Sequence, residues 1–343
     1  MNYKAWLVKA AVCGLCMTML VPSFANATEY GPNTISAFLN KEGRETVYKP
    51  KWANFVLHTA LHRKFYGQRS NMPVWIDASG YPNQMATALR ETLLSADRHG
   101  LHPQDYWNET LESAFIGSQE DPRLGITFEF VATEAVLRYG QHLFQGRVDP
   151  RTVDEDIKYE GNTFADKEIT IVAAAVNKAP SEFTSALEIL SPQLPRYKDF
   201  MKVLEYFRDA KGKGNWAVIK SPGMIMQKGV RTEAIAQIRQ RFNELGYKIS
   251  VGSDSFDGEF DGVLRKFQKD NGLAIDGTIG INRSAALQTL NKNIDERISQ
   301  IEVTMEKLRW LPRTFETRFI FVNLATSEFR LLEGNKLLMS LEP

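Results

Sequence analysis

Cysteine is nearly absent. The 343 residues contain two, Cys13 and Cys16, and both lie in the first 27. From Thr28 onward there is no thiol, so that part of the chain forms no disulfide and offers no cysteine nucleophile. An excess of charge is missing too. Lys and Arg number 42 against 41 Asp and Glu, and residues 1–27 hold two of the lysines and no acid. The balance gives no electrostatic case for nucleic acid, whose binding needs clustered basic side chains. There is no apolar run of the roughly 20 residues that cross a bilayer, no Gly-x-Ser-x-Gly elbow, no P-loop and no dinucleotide fingerprint. No cofactor is expected.

The N-terminus is patterned for export. Lys4 and Lys9 precede an apolar stretch from Ala10 to Val21, and Ala25 and Ala27 supply the small residues that a signal peptidase reads. Residues 1–27 read as a cleavable signal that leaves Thr28 at the new N-terminus; an uncleaved anchor is the alternative. Cleavage would leave no stable membrane insertion.

Beyond the signal the periodicity is mainly helical. Residues 28 to about 45 are polar and punctuated by Gly and Pro, as a loose segment would be. Trp52, Phe55, Val56 and Leu61 suit one helix face. Helices are expected over 82–95, 127–144, 168–178, 181–190 and 197–207, with Gly100 closing the first in a left-handed C′ position. Gly212 and Gly214 mark a linker, and a smaller unit follows over 222–290 with helices at 231–245 and 261–271. A long helix comes next, over 291–310. Asn293 and Glu296 form a capping box for it, and Ile294, Ile298, Ile301, Met305 and Leu308 make a narrow apolar stripe. At Arg318 the period changes to that of strands: 319–324, 328–332 and 336–341, with Gly334-Asn335 as a hairpin turn. The fold class expected is mainly α, followed by the first strands of a β-rich domain.

Candidate metal and acid–base groups are few. His58 and His62 have the four-residue spacing of a zinc helix, but Thr59 stands where the general base belongs, so helix-surface histidines are the simpler reading. Asp257, Glu259, Asp261 and Gly262 fit the opening of a calcium loop, yet position 12 is Gln268, which supplies no bidentate carboxylate. Glu129 and Glu134 are a conceivable carboxylate pair for glycan hydrolysis; a solvated helix face accounts for them more simply. No metal site is expected.

The 222–290 segment carries the strongest motif set. Leu245-Gly-Tyr247 ends one helix, Phe256-Asp-Gly-Glu-Phe260 makes a turn, Phe267-Gln268 ends a second helix, and Gly272-Leu-Ala-Ile-Asp-Gly277 follows. Gly246, Gly258 and Gly277 suit positive φ, and Phe242, Phe260 and Phe267 suit a small core. The segment resembles the three-helix peptidoglycan-binding module of cell-wall enzymes. Its exposed polar rim, with Asp257, Gln268 and Asp276, is where a glycan strand or stem peptide would bind.

The flanks extend the resemblance. Gly100-Leu-His-Pro-Gln-Asp-Tyr106, Gly146-Arg-Val-Asp-Pro150, Leu190-Ser-Pro-Gln-Leu-Pro-Arg-Tyr197 and Met305-Glu-Lys-Leu-Arg-Trp-Leu-Pro312 are together similar to the YcbB-type periplasmic murein L,D-transpeptidases. The resemblance implies a helical scaffold domain over 28–212, an inserted peptidoglycan-binding domain over 222–290, and a helix over 291–313 returning to the scaffold. Residues 318–343 would then begin a catalytic domain. It further implies a periplasmic protein of a Gram-negative cell, with peptidoglycan as partner. The family's chemistry uses a cysteine, assisted by histidine, to make 3→3 cross-links. The Ser-x-His-Gly-Cys type motif is absent here, so no catalytic residue carries over, and the chain as it stands is expected to be inactive. A fragment of the enzyme is one reading; a non-catalytic peptidoglycan-binding protein is the other.

Overall fold

The computed structural model describes residues 30–41, 58–153, 161–214, 216–281, 284–313, 317–323, 328–334 and 336–341. Residues 1–29, with the signal pattern, and Trp52, Phe55 and Val56 lie outside the described residues.

The elements are α1 (Pro32–Lys41), α2 (Thr59–Gly67), α3 (Gln84–Leu94), α4 (Glu109–Glu120), α5 (Gly125–Gln145), α6 (Asp166–Ala175), α7 (Phe183–Leu187), α8 (Pro195–Gly212), α9 (Glu233–Glu244), α10 (Gly258–Asp270), α11 (Ala285–Leu290) and α12 (Ile294–Trp310). Strands β1 (Arg318–Asn323), β2 (Glu328–Glu333) and β3 (Lys336–Leu341) follow and pair in sequence order as an antiparallel sheet. The molecule is therefore mainly helical with a small C-terminal sheet. The 28–45 expectation is corrected: α1 occupies most of it and buries Ile35 and Leu39 against the scaffold core. Pro32 is its first residue, where a missing N–H costs nothing.

Helix α5 is the centre of the scaffold. It buries residues on every side, among them Phe128, Phe130, Val131, Val136, Leu137 and Leu143, and is flanked by α2, α3, α4, α6 and α12. A helix apolar all round is one enclosed by neighbours. Glu129 and Glu134 are enclosed with it, which corrects the solvated-face reading. Glu129 is fully buried and accepts hydrogen bonds from the Val74 amide (2.8 Å), the Trp75 amide (2.7 Å) and the Tyr66 hydroxyl (2.8 Å). Burial pushes its pKa up to about 7, against the pull of those donors. Glu134 takes the His58 amide at 2.9 Å and the His58 ring at 2.6 Å. Burial raises its pKa, but the hydrogen bonds from His58 and the nearby His62 charge outweigh that and hold it low. His62 is buried as well, its ring nitrogens facing the carbonyls of His58 and Phe130, so of this pair His58 alone lies at the surface.

Helices α8 and α12 form an antiparallel pair with its own core of Tyr197, Leu204, Phe207, Ile294, Ile301 and Met305. The α12 stripe therefore faces α8, with Ile298 and Leu308 partly buried beside it. Asn293 and Glu296 close the expected capping box at 2.7 and 2.8 Å. At the far end, Arg309 is fully buried. Its guanidinium donates to the His99 carbonyl, to the Tyr197 hydroxyl at 3.1 Å and to Glu306 at 2.7 Å. Glu306 in turn accepts the amides of Arg147 (2.6 Å) and Val148 (3.0 Å). Gly100 and Gly146 have φ of +66° and +88°, and a Cβ at either would press on Glu302 or Glu306 of α12.

The buried carboxyl of Glu129 gives the fold a pH dependence. Its folded pKa lies above the ordinary 4.5, so the folded state holds the proton more tightly and stability falls as pH rises through this range. The loss is about 3 kcal/mol between pH 4.5 and 7. Urea unfolding of wild type and Glu129→Gln at pH 5 and pH 8 checks it: the difference between the two proteins should change by a large part of that amount, in favour of Gln at pH 8.

Candidate functional site

Residues 216–290 close around a second core, separate from that of the scaffold. Ile235, Ile238 and Phe242 come from α9, Phe260, Leu264 and Phe267 from α10, and Leu287 and Leu290 from α11. Phe242 sits 5.6 Å from Phe260 and 5.3 Å from Phe267, and Phe256 packs 4.5 Å from Phe260. Two short antiparallel bridges, Met226 with Ile279 and Arg231 with Ser255, tie the connecting turns together.

Arg239 is fully buried and organises the first Asp-Gly turn. It donates to Asp257 (2.6 Å), Glu259 (2.8 Å) and the carbonyls of Ser250 (2.9 Å) and Ser255 (3.1 Å). Asp257 also caps α10, accepting the Phe260 amide at 2.9 Å. That amide, followed by Arg239, holds the Asp257 carboxyl below its ordinary range; for Glu259, Arg239 is the main cause. Asp257, Glu259 and Asp261 thus stand at the start of a helix, not along a calcium loop, and Gly258 opens α10 without positive φ, whereas Gly246 and Gly277 do have it.

The second Asp-Gly turn is held from α10 by Gln268. Its amide donates to Asp276 (2.8 Å) and the Thr278 carbonyl (3.1 Å) and accepts from the Gly277 amide (3.0 Å). Gln268 is 2 % exposed, so it is corrected from the exposed rim to the interior. The structure brings Gln268 and Asp276 together, while Asp257 belongs to the Arg239 cluster. Asp276 remains exposed, its carboxyl held low by the Thr278 amide and by Gln268. The Met226–Ile279 bridge follows this turn, and Met224, Ile225 and Ile281, close in sequence to the bridged residues, are exposed.

Trp216 joins this unit to the α8–α12 pair. The Arg241 guanidinium lies 4.5 Å and that of Arg297 5.5 Å from its ring, and Phe207 packs edge-on at 5.8 Å. Burial, then the neighbouring Arg241, pulls Arg297 down to about 10. The Tyr206 hydroxyl adds a hydrogen bond to the Glu244 carbonyl at 2.7 Å. Neither Arg239 nor Arg241 was singled out in the sequence. The signal was there: Arg239 falls on the same helix face as Ile235 and Phe242, where a cation needs built partners.

Two segments of the chain match known families. Residues 60–204 match the family described as "Scaffold domain", and residues 231–287 match "Putative peptidoglycan binding domain". Residues 231–287 thus resemble a peptidoglycan-binding domain. Its order after the scaffold fits an L,D-transpeptidase-like architecture. No curated protein matches the chain. The domain supports a peptidoglycan-associated role and peptidoglycan as a partner. Among the described residues no helix is long and apolar enough to cross a membrane.

Gln268 is expected to act through the fold of the domain. Gln268→Ala removes three hydrogen bonds from the interior and should cost about 2 to 3 kcal/mol, read as an earlier unfolding transition in thermal melts followed by tryptophan fluorescence.

Proposed function

We propose that this chain is the scaffold and wall-binding part of a YcbB-type murein L,D-transpeptidase working in the periplasm of a Gram-negative cell, after removal of residues 1–27 as a signal. The observation that carries the proposal is the pairing of a helical scaffold with an inserted peptidoglycan-binding domain. On the domain, the wall-facing surface takes in the exposed Asp276 carboxylate and the exposed apolar side chains of Met224, Ile225 and Ile281 around the Met226–Ile279 bridge. Gln268 and Asp257 serve that surface by fixing the two turns.

The transfer itself needs a thiolate, to attack the stem peptide and carry the acyl group to a neighbouring amine as a 3→3 link. Residues 28–343 contain no cysteine, so their contribution is to bind and present the wall. The strands β1 to β3 support a further β-rich domain in the working enzyme. None of their described residues is buried, and Ile320, Val322, Leu337 and Leu341 are half or more exposed. Apolar side chains standing open on a three-strand sheet call for a covering layer. A non-catalytic wall-binding protein is the second reading, favoured by the same lack of a thiol.

The 28–343 chain should sediment with purified sacculi and show no covalent carbapenem adduct by intact-mass spectrometry. Failure to sediment would overturn the wall-binding role; an adduct would overturn the assignment of the reactive centre outside these residues.

A further inference from the structure

A cleft of about 520 Å³ runs between the 96–99 turn and α8, within the ~300–1,000 Å³ usual for small-ligand sites. One wall is a single face of α8, carrying Lys198, Met201, Lys202, Glu205 and Asp209; Arg98 and Glu188 stand on the other. Arg208 closes it, bonded to the Asp97 carbonyl and to Glu302 of α12 at 2.8 Å.

The charges on this face of α8 work against the helix that bears them. Lys198 and Lys202 are one turn apart, and so are Glu205 and Asp209, which places like charges at i,i+4 twice. Lys198 stands at the end of the first turn and Asp209 at the start of the last, the reverse of the order the helix dipole favours. Neighbours relieve little of this. Lys202 reaches Asp199 only at 3.9 Å, and among the described residues the side chains of Arg98, Lys198, Glu205 and Asp209 form no hydrogen bond or ion pair. Arg98 and Lys198 are exposed, and both lie close enough to Glu188 to help lower its pKa, after the His99 hydrogen bond that offsets its burial. A local pattern that costs stability without structural return marks a site kept for function.

We propose that this cleft binds a peptidoglycan stem peptide, whose carboxylates meet Arg98, Lys198 and Lys202 and whose side-chain ammonium meets Glu205 and Asp209 across Met201. Lys198 and Glu205 are about 10 Å apart along the helix axis, the span of about three extended residues. The proposal rests on the wall-binding reading and adds a second contact, in the scaffold and apart from the peptidoglycan-binding domain. The scaffold would then hold a stem while the domain holds the wall.

The test uses the 28–343 chain, the synthetic peptide L-Ala-γ-D-Glu-meso-diaminopimelyl-D-Ala in an NMR titration, and sacculi in a parallel sedimentation assay. The double variant Lys198→Glu/Asp209→Lys removes the like-charge pairs and restores the favourable dipole order. It should lose at least tenfold in peptide affinity, keep or raise its Tm, and still sediment with sacculi. Arg98→Ala, on the opposite wall, should weaken the peptide about fivefold. Undiminished peptide binding by both variants, or a lower Tm in the double variant, would overturn the proposal. A wild-type chain that sediments but ignores the peptide would overturn it while leaving the wall-binding role intact; one that takes the peptide without sedimenting would keep the cleft and remove that role.

Discussion

The fold turns on the buried guanidinium of Arg309. The chain leaves the scaffold through α8, builds a separate domain, and comes back through α12. Such an excursion must be closed by contacts made across a long stretch of sequence, and each such closure costs chain entropy. Arg309 spans it, joining α12 to His99 and to Tyr197 at the start of α8. Glu306, one turn earlier, adds the amides of Arg147 and Val148. A guanidinium with no solvent is tolerable because both of its terminal nitrogens are bonded, Nη1 to the Glu306 carboxylate and Nη2 to the His99 carbonyl and the Tyr197 hydroxyl, while its Nε is left without a partner among the described residues.

This joint also explains which segments carried the family resemblance. The Gly100-Leu, Gly146-Arg-Val and Glu306-Lys-Leu-Arg stretches are far apart in sequence and meet in space around Arg309 and Glu306. With His99, next to Gly100, they supply the groups that tie the returning helix to the scaffold: the His99 carbonyl, the Arg147 and Val148 amides, and the side chains of Glu306 and Arg309. At the other end of the same helix pair, Trp216 between Arg241 and Arg297 performs the equivalent seating for the domain.

Much of this was legible from residue patterns. The Ile294-to-Leu308 stripe specifies one partner surface wherever the helix lies, and the aromatic spacing of Phe242, Phe260 and Phe267 specifies a small core. What escaped was the environment of polar side chains. Glu129 and Glu134 look like a wet helix face, because nothing nearby in sequence announces that Val74, Trp75 and His58 will arrive to bond them. Gln268 was read as rim for the same reason, though it follows Phe267 on a face already set by Leu264. The α1 helix was hidden by Gly31, Pro32 and Asn33, which punctuate a loop and start a helix equally well. All three site residues have polar atoms engaged within the domain; Asp276 is exposed, Asp257 half-buried and Gln268 buried.

Native-state hydrogen exchange tests the Arg309 joint most directly. If α8 and α12 are locked to the scaffold through it, the amides of Leu204 to Phe207 and Ile301 to Met305 open with the same free energy and denaturant dependence as the central amides of α5. Exchange of the α8–α12 pair at a clearly lower free energy, as a unit separate from α5, would contradict the joint.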